Sequence, residues 1–419
     1  MIELRPSGAL RARVAAPPSK SVTLRALVAA ALARGVSVVR RPLPCDDTDA
    51  MVLGLRQLGT AVEEMVPGTI SVRGGAPGRV EGTIDCGAAG AVIRFLAAVA
   101  ALGRGKVVLD GLARLRERPV GPLVEALRSL GAEVACERAE GFPPLRVGAR
   151  GLRGGSVTLD ASASSQFLSS LLLAGPCMES DLDVRVGGPL ASAPYVELTA
   201  EVMEAFGATV ERPSPGRFRV PRTGYRAAEF TVEGDWSSAA FLFAAAAVAG
   251  GSVTVEGLRE DSHQGDRAIA GLLERMGCAV ERAGGLVTAR GAPLRAIDAD
   301  LGATPDLAPA LAVVAAFARG TTRVRGGAHL RLKESDRIAS VTRALGALGI
   351  VARERPDGFE VEGGRPRGGV IDPEGDHRIA MAFALAGLAV PGVRVRNPEC
   401  VAKSWPGYFQ VVAGLELEG

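Results

Sequence analysis

Histidine, cysteine and aromatic side chains are scarce in this chain of 419 residues, and each shortage closes off a class of function. Three histidines, His263, His329 and His377, are too few for a His-rich metal centre. Six cysteines, Cys45, Cys86, Cys136, Cys177, Cys278 and Cys400, are scattered without CxxC spacing, so neither a disulfide framework nor a zinc site is indicated. Aromatic residues make up only 4% against 47% hydrophobic, so the core must be built of Ala, Leu and Val. A surplus of charge is lacking too: the formal net charge is +3, no Lys/Arg run occurs, and nucleic acid is not an expected partner. The most apolar stretches, "AAFLFAAAAVAG" and "LAPALAVVAAFA", fall short of the roughly 20 residues a membrane span needs. "MIELRPSGALRARV" lacks the apolar core of a signal peptide. The expectation is a compact, soluble, cytoplasmic α/β protein with no membrane partner.

What is present is a repeat. "LRQLGTAVEE", "LRSLGAEVACE", "MEAFGATVER", "LERMGCAVER" and "LGALGIVARE" each read as the end of an amphipathic helix, a glycine stop, then a strand. The glycines, Gly59, Gly131, Gly207, Gly277 and Gly349, recur about 70 residues apart, a period that marks internal repetition. A second phrase interleaves with the first: an Ala/Leu-rich helix, a glycine and a Val-rich strand, as in "RFLAAVAALGRGKVVLDG" and "AAFLFAAAAVAGGSVTVEG". Six copies result, each adding two helices and several short strands. The sixth ends in a stub, "VVAGLELEG", which the opening "IELRPSGALRARV" is expected to complete. Six βαβ-containing units divide naturally as three plus three. The predicted domains are 18–233, and 1–17 plus 234–419, with crossovers near "AAPPSK" and "VEGDW". Strand-like pieces such as "VSVVR" argue against the alternative, a single α-solenoid.

The predicted helix starts are basic or hydroxyl-rich. "PPSKSVTLRAL" carries Lys20, Ser21 and Arg25; "GAAGAVIRFL" carries Gly90 and Arg94; "LRERPVGPL" carries Arg118. "ASASSQFLSS" carries Ser164, Ser165 and Gln166, and "ASAPYVEL" carries Ser192 and Tyr195. "KESDRI", "GDHRIAM" and "VAKSWPGY" supply Lys333, Glu334, Arg337, His377, Arg378 and Lys403. Taken singly, each reads as a helix cap beside a solvated cation, and for Asp235 and Ser404 capping is a sufficient explanation. Taken together they do not, because a cation at a helix N-terminus opposes the backbone dipole unless an anion is bound there. Helix N-termini with Lys and Arg make phosphate and carboxylate sites, so a cleft for a polyanionic ligand is expected. Within it Asp306, in "ATPDLAPAL", and Glu334, between Lys333 and Arg337, read either as salt-bridge partners or as general bases held ionised by cations.

"PPSKSVTLRALVAAALARG", "LRERPVGPL", "SSQF", "SAPY", "TPDLAPAL", "LRLKESDRI", "GDHRIAMAF" and "CVAKSWPGYF" resemble, in order and spacing, the 5-enolpyruvylshikimate-3-phosphate synthase family. The resemblance runs from end to end of the chain. It implies an enolpyruvyl transferase fold: two inside-out, barrel-like α/β domains of three βαβαββ units each, with helix N-termini facing an interdomain cleft. It also implies transfer of the enolpyruvyl group of phosphoenolpyruvate to the 5-hydroxyl of shikimate 3-phosphate, through a tetrahedral intermediate, by a monomer using no metal or organic cofactor. Carried over by motif, Ser21 and Arg25 would hold the shikimate carboxylate. Ser164, Ser165 and Ser192 would hold the 3-phosphate, with Tyr195 against the ring and Asp306 and Lys333 at the hydroxyls. Lys20, Gly90, Arg118, Gln166, Arg337, Arg378 and Lys403 would surround phosphoenolpyruvate. Lys20 and Gln166 would also border shikimate 3-phosphate. Asp306 would serve as base at the hydroxyl and Glu334 as proton carrier at the methylene, with Lys20 assisting.

The chain departs from the pattern in places. Many members read Gly-Asn-Ala-Gly-Thr where this one has "GAAGA", so Ala88 removes an amide and Ala91 a hydroxyl; His329 stands where some carry Asn. The rival implied acceptor is a UDP-sugar or nucleotide. The sister enzymes acting on UDP-N-acetylglucosamine carry a loop Cys five residues before the Arg matching Arg118, and here that position is Ala113. A non-catalytic anion-binding repeat protein is the reading from another class.

Overall fold

The computed structural model describes residues 1–6 and 8–415. The end of the expected C-terminal stub, 416–419, lies outside the described residues. The chain divides into two compact units, one of Met1–Ser19 with Glu233–Gly419 and one of Lys20–Val232.

Each unit has three buried helices at its centre. In the Lys20–Val232 unit they are Lys20–Leu32, Gly90–Ala101 and Ser165–Ala174, which pack on one another. In the other they are Trp236–Ala249, Ala308–Ala316 and His377–Ala384. These segments lack a polar face, and a helix apolar all round can be stable only when surrounded. Alanine is what lets three such helices meet. Its small side chain allows close approach, and Phe95, Phe167, Phe241, Phe243 and Phe383, each at most 1% exposed, fill the remaining space.

The helices are wrapped by open sheets that share one pattern. Strands Arg79–Asp85 and Arg104–Asp110 pair parallel, Leu145–Arg150 then pairs antiparallel to the second, and Glu133–Cys136 closes the edge. The sheets built from Gly155–Leu159, Leu182–Val186, Glu211–Ser214 and Arg217–Val220, and from Asp298–Asp300, Thr321–Arg325, Val351–Arg355 and Gly358–Glu362, repeat that order. This is the expected βαβαββ unit. Six separate sheets form among the described residues, and none closes into a barrel.

The opening segment corrects one expectation. Only Ile2–Glu3 completes the sixth repeat, pairing antiparallel with Val393–Val395. Leu10–Ala15 instead pairs parallel with Gly251–Glu256 in the fourth. In the first repeat the parallel partner of Ala33–Arg40 comes from the far end of the unit, Tyr225–Arg226 and Glu229–Thr231. Both crossings therefore fall at equivalent points, between a repeat's edge strand and the buried helix that follows it.

The repeat glycines end helices as predicted. Gly59, Gly131, Gly207, Gly277 and Gly349 have φ of 90°, 102°, 81°, 111° and 75°, the left-handed conformation that closes a helix and that a Cβ disfavours. At Gly349 a Cβ would also lie 2.6 Å from Arg367 Nε.

Candidate active site

Parallel strands joined by helices put every strand-to-helix turn at the carboxyl end of the strands, so helix N-termini gather there. In the Lys20–Val232 unit this brings five of the expected segments together. Arg25 is 2% exposed and crosses the centre of the group. Its Nε donates to Thr199 Oγ1 at 2.8 Å, and its terminal nitrogens donate to the Ser21 carbonyl at 2.9 Å and the Tyr195 carbonyl at 3.3 Å. Its guanidinium also stands 5.3 Å from the Phe95 ring centroid and 5.8 Å from that of Tyr195. Burial drives its pKa down to about 10. A guanidinium buried among neutral oxygens carries a desolvation cost that a bound anion would offset.

Arg94, also buried, links the next segments. It donates to Gln166 Oε1 at 2.6 Å and to the Pro119 carbonyl at 2.8 Å, and lies over the Phe167 ring. Ser164 caps its helix by accepting from Gln166 N at 3.2 Å, with Ser165 buried behind it. Arg118 is 4% exposed and lies against the start of the Gly90–Ala101 helix, where a Cβ on Gly90 would meet its guanidinium at 2.6–2.8 Å. Glycine is required there by close approach, since its φ is not in the left-handed region. Ser192 does adopt that region, with φ 54°, and its buried hydroxyl has no hydrogen-bond partner. Lys20 pairs with Asp47 at 3.0 Å. Lys20, Arg25, Arg94 and Arg118 thus gather in this region, with Asp47 paired to Lys20.

In the other unit several acids meet one cation. Arg337, 1% exposed, is held by three carboxylates: Asp376 at 2.8 Å, Asp306 at 2.7 Å and Glu334 at 2.7 Å. The unfavourable start of the Arg337–Ala347 helix is therefore relieved by the protein's own acids rather than by a ligand alone. Asp336 adds a cap, accepting from Ala339 N at 3.1 Å. Burial opposes the charge on Arg337, but the acids overcome it and hold its pKa well above the ordinary value. Arg378, at the start of His377–Ala384, reaches the second oxygen of Asp306 at 3.0 Å. Burial would raise the Asp306 carboxyl; Arg378, Arg337 and Lys333 outweigh it and keep the group well below the carboxylate range. His377 is 1% exposed with Nδ1 3.9 Å from Asp376, and Lys403 is buried at the end of the turn Pro398–Lys403, which packs on the His377–Ala384 helix. His329 is buried beside this group, and burial, then Lys333, push its imidazole down to about 4, so it is neutral at physiological pH.

Sequence reading missed some of these groups. Asp376 caps the His377–Ala384 helix, accepting from Arg378 N at 3.0 Å, while also binding Arg337; its signal was the cap position in "GDHRIAM". Asp47 lies in the acidic helix start "CDDTDAM". Thr199 and Ser169, which line Arg25, gave no signal, since helix-interior hydroxyls read as neutral. Asp235 does cap its helix, but Ser404 does not: its buried hydroxyl has no partner. No helix among the described residues is long and apolar enough to cross a membrane.

Over residues 4–412 the chain matches the family described as EPSP synthase (3-phosphoshikimate 1-carboxyvinyltransferase). It is 45% identical over 422 residues to the 3-phosphoshikimate 1-carboxyvinyltransferase of Methanoculleus marisnigri, with both chains covered completely. Among solved structures, EPSP synthase from Acinetobacter baumannii superposes with a TM-score of 0.80 at 29% identity, covering 99% of this chain and 98% of that one. The enolpyruvyl transferase NikO from Streptomyces tendae, at 21% identity and a TM-score of 0.79 over 98% and 96% of the two chains, shares the fold. With the motifs, the repeat pattern and a match over nearly its whole length all in agreement, this chain belongs to the EPSP synthase family.

Proposed function

We propose that the protein is a 3-phosphoshikimate 1-carboxyvinyltransferase. It joins the 5-hydroxyl oxygen of shikimate 3-phosphate to C2 of phosphoenolpyruvate and releases inorganic phosphate, a step in aromatic biosynthesis. The observation that carries this reading is the set of cations gathered at the helix starts of the Lys20–Val232 unit on the family's own motifs, with Arg25, Arg94 and Arg118 buried. Two substrates bearing two phosphates and two carboxylates suit such a set of cations.

In this reading Arg25 and Ser21 take the shikimate carboxylate. Ser164, Ser165 and Ser192 take its phosphate, the last through a hydroxyl that has no protein partner. Tyr195 lies against the ring. Because Gln166 Oε1 accepts from Arg94, its amide nitrogen is left to donate outward, the polarity an anion requires. Lys20, Gly90, Arg118, Gln166, Arg337, Arg378 and Lys403 surround phosphoenolpyruvate, and Lys333 reaches the ring hydroxyls. In the addition step Asp306 accepts the hydroxyl proton while Glu334 delivers a proton to the methylene carbon, assisted by Lys20. In elimination the traffic reverses: Glu334 takes back a methyl proton, the double bond re-forms and the C–O bond to phosphate breaks, with the proton held by Asp306 passing to the departing phosphate. A carboxylate gripped by two guanidiniums is a poor base. Recruitment of Arg378 to the substrate anion would draw it from Asp306 and raise that carboxyl's basicity when it is needed.

In this reading the domains are 18–233 and 1–17 plus 234–419, in a cytoplasmic monomer; the compact units Lys20–Val232 and Met1–Ser19 with Glu233–Gly419 support the division. The deciding experiment is phosphate release from phosphoenolpyruvate with shikimate 3-phosphate, set beside UDP-N-acetylglucosamine and UMP. Turnover with the first supports the reading. Turnover only with another acceptor transfers the activity to that acceptor, and binding without phosphate release favours an anion-binding protein.

A further inference from the structure

Asp266 belongs to none of the motifs, yet it is a fully enclosed carboxyl near the Asp306–Arg378 pair. It sits in the turn Gly265–Ala268, 0% exposed. That turn packs on the helix Trp236–Ala249, which also packs on the turn Pro305–Leu307 carrying Asp306. One oxygen, Oδ2, bonds Ser237 Oγ, and the other, Oδ1, is buried with no hydrogen-bond partner. A carboxylate in that setting carries a burial cost that the Ser237 hydrogen bond only partly offsets, which favours the neutral acid.

We propose that Asp266 is a positioning residue that works while protonated: neutral, it leaves Arg378 to Asp306 and to an incoming anion, and ionised, it competes for Arg378 and weakens anion binding. The groups facing it are Asp306 from its turn, Arg378 from the start of His377–Ala384, and Asp235 and Ser237 from the start of Trp236–Ala249. With Asp266 neutral, Lys333, Arg337 and Arg378 balance Asp306, Glu334 and Asp376. Ionisation tips that balance by one negative charge at the place where a phosphate must bind. Burial first, and then Asp306, push the Asp266 carboxyl up to about 7, against the pull of Arg378. The change therefore falls within the physiological range. By linkage an anion bound to Arg378 must raise the proton affinity of Asp266, and the proton must strengthen anion binding by the same factor.

The inference rests on the proposed transferase reading, and its test separates the two. The kcat and KM for phosphoenolpyruvate, at saturating shikimate 3-phosphate, are measured from pH 6 to 8.5 in the wild type and in Asp266→Asn, which mimics the neutral acid. At pH 6 the two should agree. At pH 8.5 the KM of the wild type should exceed that of the variant about five-fold or more, the low end of typical site-to-site coupling, with kcat much less affected. Substrate ionisation is common to both proteins and cancels in the ratio. A ratio constant across the range overturns the inference while leaving the transferase reading intact; no turnover by the wild type overturns the transferase reading. If Asp266→Asn does not fold, the wild type decides by infrared spectroscopy with Asp266→Ser as the blank. A protonated-carboxyl band seen at pH 6, lost by pH 8.5 and restored by phosphoenolpyruvate supports the role, and its absence at pH 6 refutes it.

Discussion

Replacing Arg337 by Met tests how the buried charge cluster is held together. The substitution keeps most of the side-chain volume and removes one guanidinium bonded to Asp376, Asp306 and Glu334. Asp376 is 0% exposed, so it cannot turn to water. It keeps Ser335 Oγ at 3.1 Å and the Arg378 backbone NH at 3.0 Å, which are too little to stabilise a buried charge. Asp306 retains Arg378. Breaking a buried pair by deleting one partner typically costs 3–5 kcal/mol, so about 4 kcal/mol is expected at pH 7. For a unit of roughly 200 residues that is a fall in Tm of about 8–16 °C, read by calorimetry on the transition that carries this unit. The control is Arg331→Met. Arg331 pairs with Asp336 and Glu354 from a side chain 32% exposed, and should cost no more than about 1 kcal/mol. The pH dependence has a defined sign. Asp306 has a depressed folded pKa, so the stability it contributes is present above the unfolded carboxylate pKa of about 4 and is lost as pH falls below it. The gap between wild type and Arg337→Met should therefore narrow in acid. A loss under about 1 kcal/mol at pH 7, or a gap that widens in acid, would refute the reasoning.

Gly90→Ala should force the Arg118 guanidinium aside, since the new Cβ would lie 2.6–2.8 Å from its atoms; the KM for phosphoenolpyruvate should rise about ten-fold or more, in steady-state assays, with the fold unchanged by circular dichroism. Asp306→Asn and Glu334→Gln should each still bind shikimate 3-phosphate by calorimetry yet turn over at least about 10²-fold more slowly, and near-normal rates in both would remove them from the chemistry. His329 is held down to about 4, so the unfolded chain takes up a proton that the folded one refuses as pH falls from about 6.5; this should cost the wild type about 2 kcal/mol between pH 7 and pH 5, a loss that His329→Asn should not show in denaturant titrations.

The sequence alone determined what depends on neighbours along the chain. Apolar helices without a polar face had to be central, the glycine stops had to take the left-handed conformation, and Ser164, Asp235 and Asp376 occupy cap positions that local hydrogen bonding dictates. The repeat period followed from those signals, and with it the division into six units. Tertiary structure decided which charges meet. Arg337 is bonded to Asp306, 31 residues before it, and to Asp376, 39 residues after it. No periodicity encodes such a meeting, and its strength depends on burial as much as on separation. The same holds for the strands at 225–231 and 10–15, whose partners are set by how each unit closes on itself. It holds for Asp266 as well: in the sequence it is an ordinary acid before a helix, and only burial, with Asp306 near it, pushes its carboxyl up to about 7.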